Sequence, residues 1–235
     1  MFTRLPYSVH AMLIADLPAD QRPRERLQSK GPDALTDAEL LAIVLRTGIP
    51  GKNAIELGHD LLDRFGSLSR LLQATPEELT ELRGMGPSKC SLLQAVLELA
   101  QRALTEELRC GPLLESPQAV ARFLRSRLHG LAAETFLGLF LDVQGRLIAC
   151  EEMFKGTLTR THVYPREIVR RALAHNAAAM IFAHNHPSGT VEPSPMDKSL
   201  TNEMKRVLAC IEVKLLDHLI VNDQEVWSFQ QHGLC

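Results

Sequence analysis

At 235 residues, with 45% apolar and 23% charged residues and a formal net charge of −2, the chain has the balance of a folded globular protein, long enough for one large domain or two small ones. So small a net charge argues against a strongly basic nucleic-acid surface as a bulk property, and against an acidic tail for a basic partner. The five cysteines, Cys90, Cys110, Cys150, Cys210 and Cys235, are odd in number and never spaced C-x-x-C, which points away from a zinc ribbon or a disulfide framework and toward reduced thiols in the cytoplasm.

Near the N-terminus, Met12-Leu13-Ile14-Ala15 follows His10 and is cut short by Asp16 and Asp20, so no signal peptide is expected. No run of roughly 18 apolar residues occurs, so no membrane span is expected. Thr36-Asp37-Ala38-Glu39 is a capping box ahead of the apolar series Leu40, Leu41, Ile43, Val44, Leu45. Apolar residues at Ile55, Leu57, Leu61, Leu62 and Phe65 predict a helix over 54–65. Thr75-Pro76-Glu77-Glu78 is a second capping box with proline at the first helical position. A longer helix is predicted from 88 to about 108. Gly111-Pro112 and Ser116-Pro117 punctuate the chain there, so a helical domain over 1–112 and a second domain over 115–235 are expected.

Beyond Pro117 one more helix, 118–128, precedes a change of pattern. Phe136 to Leu141 is a short apolar run, Asp142-Val143-Gln144-Gly145 is a turn, and 146–150 follows as the second strand of a hairpin. Pro165 starts a helix over 166–175, and 179–183 reads as a buried strand. Ser194-Pro195 starts a helix with Leu200, Met204, Val207, Leu208 and Ile211 on one face. Residues 211–221 and 226–229 read as final strands. The expected class is α/β: an N-terminal helical bundle followed by a mixed α/β domain.

The chemistry is concentrated in His184-Asn185-His186-Pro187-Ser188-Gly189 and Ser194-Pro195-Met196-Asp197. In a strand, residues i and i+2 share a face, so His184 and His186 present two imidazoles side by side at the strand exit. Pro187-Ser188-Gly189 ends the strand with turn residues. Ser194 sits at a helix N-cap and Asp197 in the first turn, from which its carboxylate reaches a free N–H or the histidines. Two imidazoles and one carboxylate make a three-ligand zinc set with a fourth position open for water, whose pKa zinc lowers toward ~7. A hydrolytic site also needs a general base and an oxyanion donor. Ser194 is placed for the second; Glu134, Glu151 and Glu152 are the candidates for the first.

The string HNHPSG…EPSPMD resembles the JAMM motif of MPN domains, a glutamate followed by H-x-H, seven residues and S-x-x-D. Val163-Tyr164-Pro165-Arg166-Glu167 and Leu216-Asp217-His218-Leu219-Ile220-Val221 are similar to the RadC family of bacterial JAMM proteins, as are Leu45-Arg46-Thr47-Gly48 and a helix-hairpin-helix in the first half. The resemblance covers almost the whole chain. It implies an MPN-type C-terminal domain with Zn2+ on His184, His186 and Asp197, Ser194 at the oxyanion, and a glutamate from the first strand as base. Glu134 fits that place, with Glu151 or Glu152 as the alternative. The activity implied is hydrolysis of an amide bond in a peptide or protein substrate, as a zinc metalloprotease or isopeptidase.

In the first half, Leu82-Arg83-Gly84-Met85-Gly86-Pro87-Ser88-Lys89 resembles a helix-hairpin-helix. Two glycines permit a tight turn, and free N–H groups at the next helix start can face a phosphate. DNA is therefore a candidate partner through Arg83 and Lys89, and Gly48-Ile49-Pro50-Gly51-Lys52 could form a poorer second copy. A different class of function follows: a DNA-associated accessory protein, of DNA repair or recombination, in which the MPN domain only binds. Trp227 and His218 are expected in the core, the latter rather than as a fourth ligand, while His162 and His175 flank a helix and need no special role. Arg166 lies near the site side and could meet a substrate.

Overall fold

A computed structural model describes residues 13–235 apart from 129, 132, 157–162, 187 and 223. His10, Met12, His162 and Pro187 lie outside the described residues. The chain divides into two compact units, one up to Glu98 and one from Leu99 to Cys235.

The first unit is helical: α1 (Pro23–Lys30), α2 (Asp37–Leu45), α3 (Ala54–Phe65), α4 (Leu68–Leu72), α5 (Pro76–Thr80) and the first part of α6 (Pro87–Cys110). Capping sets its boundaries. Thr36 Oγ1 accepts the Glu39 N–H at 3.3 Å while Glu39 Oε2 accepts the Thr36 N–H at 2.8 Å, and Thr75 with Glu78 repeats the device at α5. Glu39 is buried and tied to α1 by Arg26. Leu41, Leu45, Leu57, Leu61, Leu71 and Leu93 form the core. A Cβ on Gly58 would sit 2.7 Å from the Ala38 carbonyl, so only glycine lets α3 approach α2 this closely. Gly48 to Lys52 lies in the turn between α2 and α3, just ahead of the Asn53 N-cap. Ile49 and Lys52 exchange two backbone hydrogen bonds at 2.9 and 3.0 Å, and the Lys52 ammonium is held by Asp60.

The second unit is built on a sheet. After α7 (Pro117–Leu128) come β1 (Thr135–Leu141), β2 (Leu147–Lys155), α8 (Pro165–Ala174), β3 (Ala179–Asn185), α9 (Pro195–Ala209), β4 (Lys214–Val221) and β5 (Val226–Ser228). The strands lie in the order β2-β1-β3-β4-β5, with β3 and β4 parallel and the other pairs antiparallel. The β1–β2 hairpin closes on Asp142, whose Oδ1 accepts the N–H groups of Gln144 and Arg146 at 2.8 and 3.0 Å, with Gly145 at φ +75°.

Both sheet faces are covered, which is why β1 and β3 read as unbroken apolar runs rather than alternating ones. Leu137, Leu139 and Leu141 face a core shared with Phe123 and Leu124 of α7. Phe136 and Phe140 face a second core with Ile168 of α8 and Met204 and Leu208 of α9. The mixed α/β class is as expected.

Several element ends differ from those expected from the sequence, among them three strand boundaries and β3, which runs on to Asn185. The strand expected from 211 begins at Lys214, because the chain turns through Glu212 at φ +59° after α9 ends. The second hairpin strand runs on to Lys155, so Glu151 and Glu152 lie in mid-strand. The last strand stops at Ser228. Trp227 within it is half-buried, stacked on His232 with centroids 4.2 Å apart, rather than in the core. No described helix is long and apolar enough to cross a membrane.

Candidate metal centre

β3 lies between β1 and β4, with His184 paired to Phe136 on one side and to Ile220 on the other. His184 is therefore buried, and His186, one residue past the strand, is only partly so. The His186 Nδ1 faces the Thr190 carbonyl at 3.0 Å, which pins the loop that follows. Asp197 is the third residue of α9. Its Oδ2 accepts from the backbone N–H and the hydroxyl of Ser194 at 2.8 and 2.6 Å, and Ser194 Oγ accepts the Asp197 N–H at 3.2 Å. One capping box thus fixes the carboxylate, at the end of a helix whose dipole favours negative charge.

Three ligand atoms converge. His184 Nε2 lies 2.9 Å from His186 Nε2 and 3.4 Å from Asp197 Oδ1, and His186 Nε2 lies 3.4 Å from Asp197 Oδ2. Tetrahedral ligands held at 2.0–2.1 Å from zinc stand about 3.3 Å apart, so the triangle has the size of one face of such a site. The described residues thus hold a His-His-Asp group that could take a metal ion.

The electrostatics suit a cation. Burial lowers the His184 pKa to about 4, against the pull of Asp197, so the ring is neutral at pH 7. Burial opposes ionisation of Asp197, but hydrogen bonds from His186 and Ser194 and the nearby His184 outweigh it, and the carboxyl stays well below the usual range. His186 is raised, chiefly by its hydrogen bond to Asp197 and against its partial burial.

A cavity of about 530 Å³ opens beside the triad, and Glu134, His186, Ser194 and Asp197 all line it. Glu134 immediately precedes β1 and adds to the field that raises His186. The other two acids are elsewhere. Glu151 lies on β2, which β1 separates from β3, and its carboxylate is held by Arg171 and by His175 Nε2 at 2.7 Å. Glu152 is exposed on the same strand. Neither lines the cavity. His175 thus has a partner that the sequence reading did not give it.

Three residues next to the ligands were not singled out for a role. Asn185, between the two histidines, faces the other way. Its Oδ1 accepts the Thr135 N–H at 2.8 Å, and its Nδ2 donates to the Ala133 and Leu131 carbonyls at 3.3 and 3.4 Å. His218 of β4 is fully buried, with Nε2 2.9 Å from His184 Nδ1 and Nδ1 2.7 Å from Thr201 Oγ1. Both its ring nitrogens are occupied, as befits a core histidine rather than a fourth ligand. Thr201 completes the set on α9. In the first unit, Arg83 is exposed in the turn between α5 and α6. The Lys89 ammonium turns back to the Thr47 and Gly48 carbonyls at 2.6 and 3.3 Å.

A mixed sheet between helices, with a His-His-Asp group at the exit of a central strand, defines the class as a JAB-domain protein. Residues 114–234 match the family model described as the RadC-like JAB domain, and residues 14–91 match that of the UPF0758 N-terminal domain. The chain belongs to the RadC family, UPF0758. It is 55% identical to a UPF0758 protein of Nitrosomonas eutropha over 95% of this chain and 100% of the relative. It is 57% identical to one of Ralstonia nicotianae over 94% and 99%, and 55% identical to one of Herminiimonas arsenicoxydans over the same shares.

Proposed function

We propose that the chain is a zinc-dependent metallohydrolase of the JAMM type that cleaves a peptide or isopeptide amide bond in a peptide or protein substrate. The observation that carries this reading is the convergence of buried His184 with His186 and Asp197, the latter two lining a cavity that Glu134 and Ser194 share. Two imidazoles and a carboxylate suit zinc better than the hard cations that prefer oxygen. Zinc held there supplies a Lewis acid, which polarises an amide carbonyl and acidifies water toward a pKa of ~7.

The remaining steps belong to the chain. Glu134 takes a proton from the attacking water and passes it to the leaving amine nitrogen. Ser194 turns its hydroxyl from Asp197 Oδ2 toward the developing oxyanion. Phe136, Val163, Met196 and Leu200 give the cavity apolar walls against which a peptide can lie. Five free thiols support a cytoplasmic setting.

A DNA-associated accessory role ranks second. Exposed Arg83 favours it, whereas Lys89 would have to leave two backbone carbonyls to reach a phosphate. Zinc analysis, peptide and isopeptide library turnover, and duplex DNA binding test both readings on wild type and Glu134→Gln. The hydrolase reading expects about one zinc per chain in each and turnover in wild type alone. A folded chain that takes up no zinc overturns it. Zinc without turnover, together with DNA binding that Arg83→Ala abolishes, would put the accessory role in its place.

A further inference from the structure

We propose that Thr201 and His218 form a hydrogen-bond relay that holds His184 in its Nδ1–H form, so that the Nε2 lone pair is delivered to the metal position. The proposal deepens the zinc reading and rests on it for the identity of the ion, but not for the relay itself.

The polarity of the relay follows from one carbonyl. Thr201 Oγ1 lies 2.6 Å from the Asp197 backbone oxygen, four residues earlier on α9. A carbonyl can only accept, so the single hydroxyl proton of Thr201 is committed there. Toward His218 Nδ1, at 2.7 Å, Thr201 Oγ1 can then only accept, so that nitrogen carries the proton. His218 is fully buried, stacked on Phe229 at 4.8 Å and met by the edges of Phe136 and Phe182. No carboxylate touches its ring among the described contacts, and an imidazolium there would be a buried charge without a partner. The ring is neutral, its Nε2 is a lone pair, and it accepts from His184 Nδ1 at 2.9 Å.

The consequence reaches the triad. With Nδ1 protonated, neutral His184 presents its lone pair at Nε2. His186, whose Nδ1 donates to the Thr190 carbonyl, offers Nε2 to a metal once that nitrogen gives up the proton it shares with Asp197. The His184 lone pair then faces His186 Nε2 at 2.9 Å beside a carboxylate, a place that holds either the His186 proton or a metal ion.

The relay also joins two ligands. It starts on the backbone of Asp197, the residue whose side chain is the third ligand, and ends on His184. A metal-bound histidine ordinarily gives its other N–H to a carboxylate or a backbone carbonyl. A neutral imidazole in that place orients His184 without adding a second negative charge to the site.

The test uses the full chain. Long-range 1H–15N spectra of the imidazoles in metal-free protein are expected to show His184 and His218 both protonated at Nδ1. Zinc affinity is expected to fall about 10–100-fold in His218→Phe, which fills the aromatic cage but cannot accept, and in Thr201→Val. His218→Gln, which keeps an acceptor oxygen near the Nε2 position, is expected to retain most of the affinity. A wild-type spectrum with His184 protonated at Nε2 overturns the relay, and so does unaltered zinc affinity in folded Thr201→Val and His218→Phe. Should wild type bind no zinc while its spectrum shows both Nδ1 protons, the relay stands and the metallohydrolase reading falls.

Discussion

The side chain of Asn185 holds the backbone of Thr135: its Oδ1 accepts the Thr135 N–H at 2.8 Å, from a position between the two histidines. The same amide reaches the Ala133 carbonyl, so the segment that carries Glu134 is gripped on both sides of that residue. Strand alternation makes this possible, since the residue between two same-face histidines must face the opposite way. Asn185→Ala leaves a buried backbone N–H without its acceptor and is expected to cost about 1–3 kcal/mol in denaturant unfolding. It is also expected to lower turnover while zinc content stays at the wild-type level, because the ligands are untouched and the base is loosened.

Glu134 and Glu151 are distinguished by charge removal and by pH. Glu134→Gln is expected to keep zinc and lose turnover, whereas Glu151→Gln is expected to keep both. Glu151 instead contributes to stability. The Arg171 hydrogen bond, against partial burial and with help from His175, holds its pKa below the ordinary 4.5. Because the folded value lies below the unfolded one, this contribution is complete above pH 4.5 and is lost as pH falls through the folded value. Urea unfolding of wild type and Glu151→Gln should therefore give a gap at neutral pH that closes in acid. A gap that persists unchanged in strong acid would refute this account.

Ser194 caps α9, and the proposed function gives it a second role whose loss Ser194→Ala would show by a different readout. As the N-cap of α9 it is worth about 1 kcal/mol, the usual cost of replacing a capping serine by alanine. In the proposed hydrolase, loss of an oxyanion donor is expected to cost roughly a hundredfold in kcat. Ser194→Ala is expected to show both losses and to retain zinc. Full turnover in a folded, slightly destabilised variant would leave the serine with the cap alone.

Chelation should cost the chain stability by mass action. An ion bound only to the folded state at a thousand times its Kd adds about 4 kcal/mol. Calorimetry with and without chelator is expected to show a lower Tm on withdrawal and recovery on adding zinc. His184→Ala should show neither response.

Much of the site was legible because it is local. The H-x-H pair, the Ser-Pro start of α9 and the Ser194–Asp197 capping box are all short-range patterns, and the helix caps at Thr36 and Thr75 are equally so. The rest depends on register. Nothing in the string around Leu216 to Val221 reveals that His218 lies beside His184; the parallel pairing of β3 with β4 decides it. Glu134, Glu151 and Glu152 look alike as acids near strands, and only the sheet order and Arg171 of α8 tell them apart. Trp227 has the composition of a core residue, but its place on the short edge strand leaves it half-buried.

The crossover between the parallel strands has one more effect. His184, His186, Asp197, Thr201 and His218 all fall within residues 184–218, the stretch formed by the end of β3, α9 and most of β4. Glu134 is recruited from far earlier in the chain, by the antiparallel pairing of β1. Short loops close at lower entropic cost and sooner than long ones. During folding, the His-His-Asp group can therefore assemble from its own neighbourhood, before β1 brings Glu134 to the cavity.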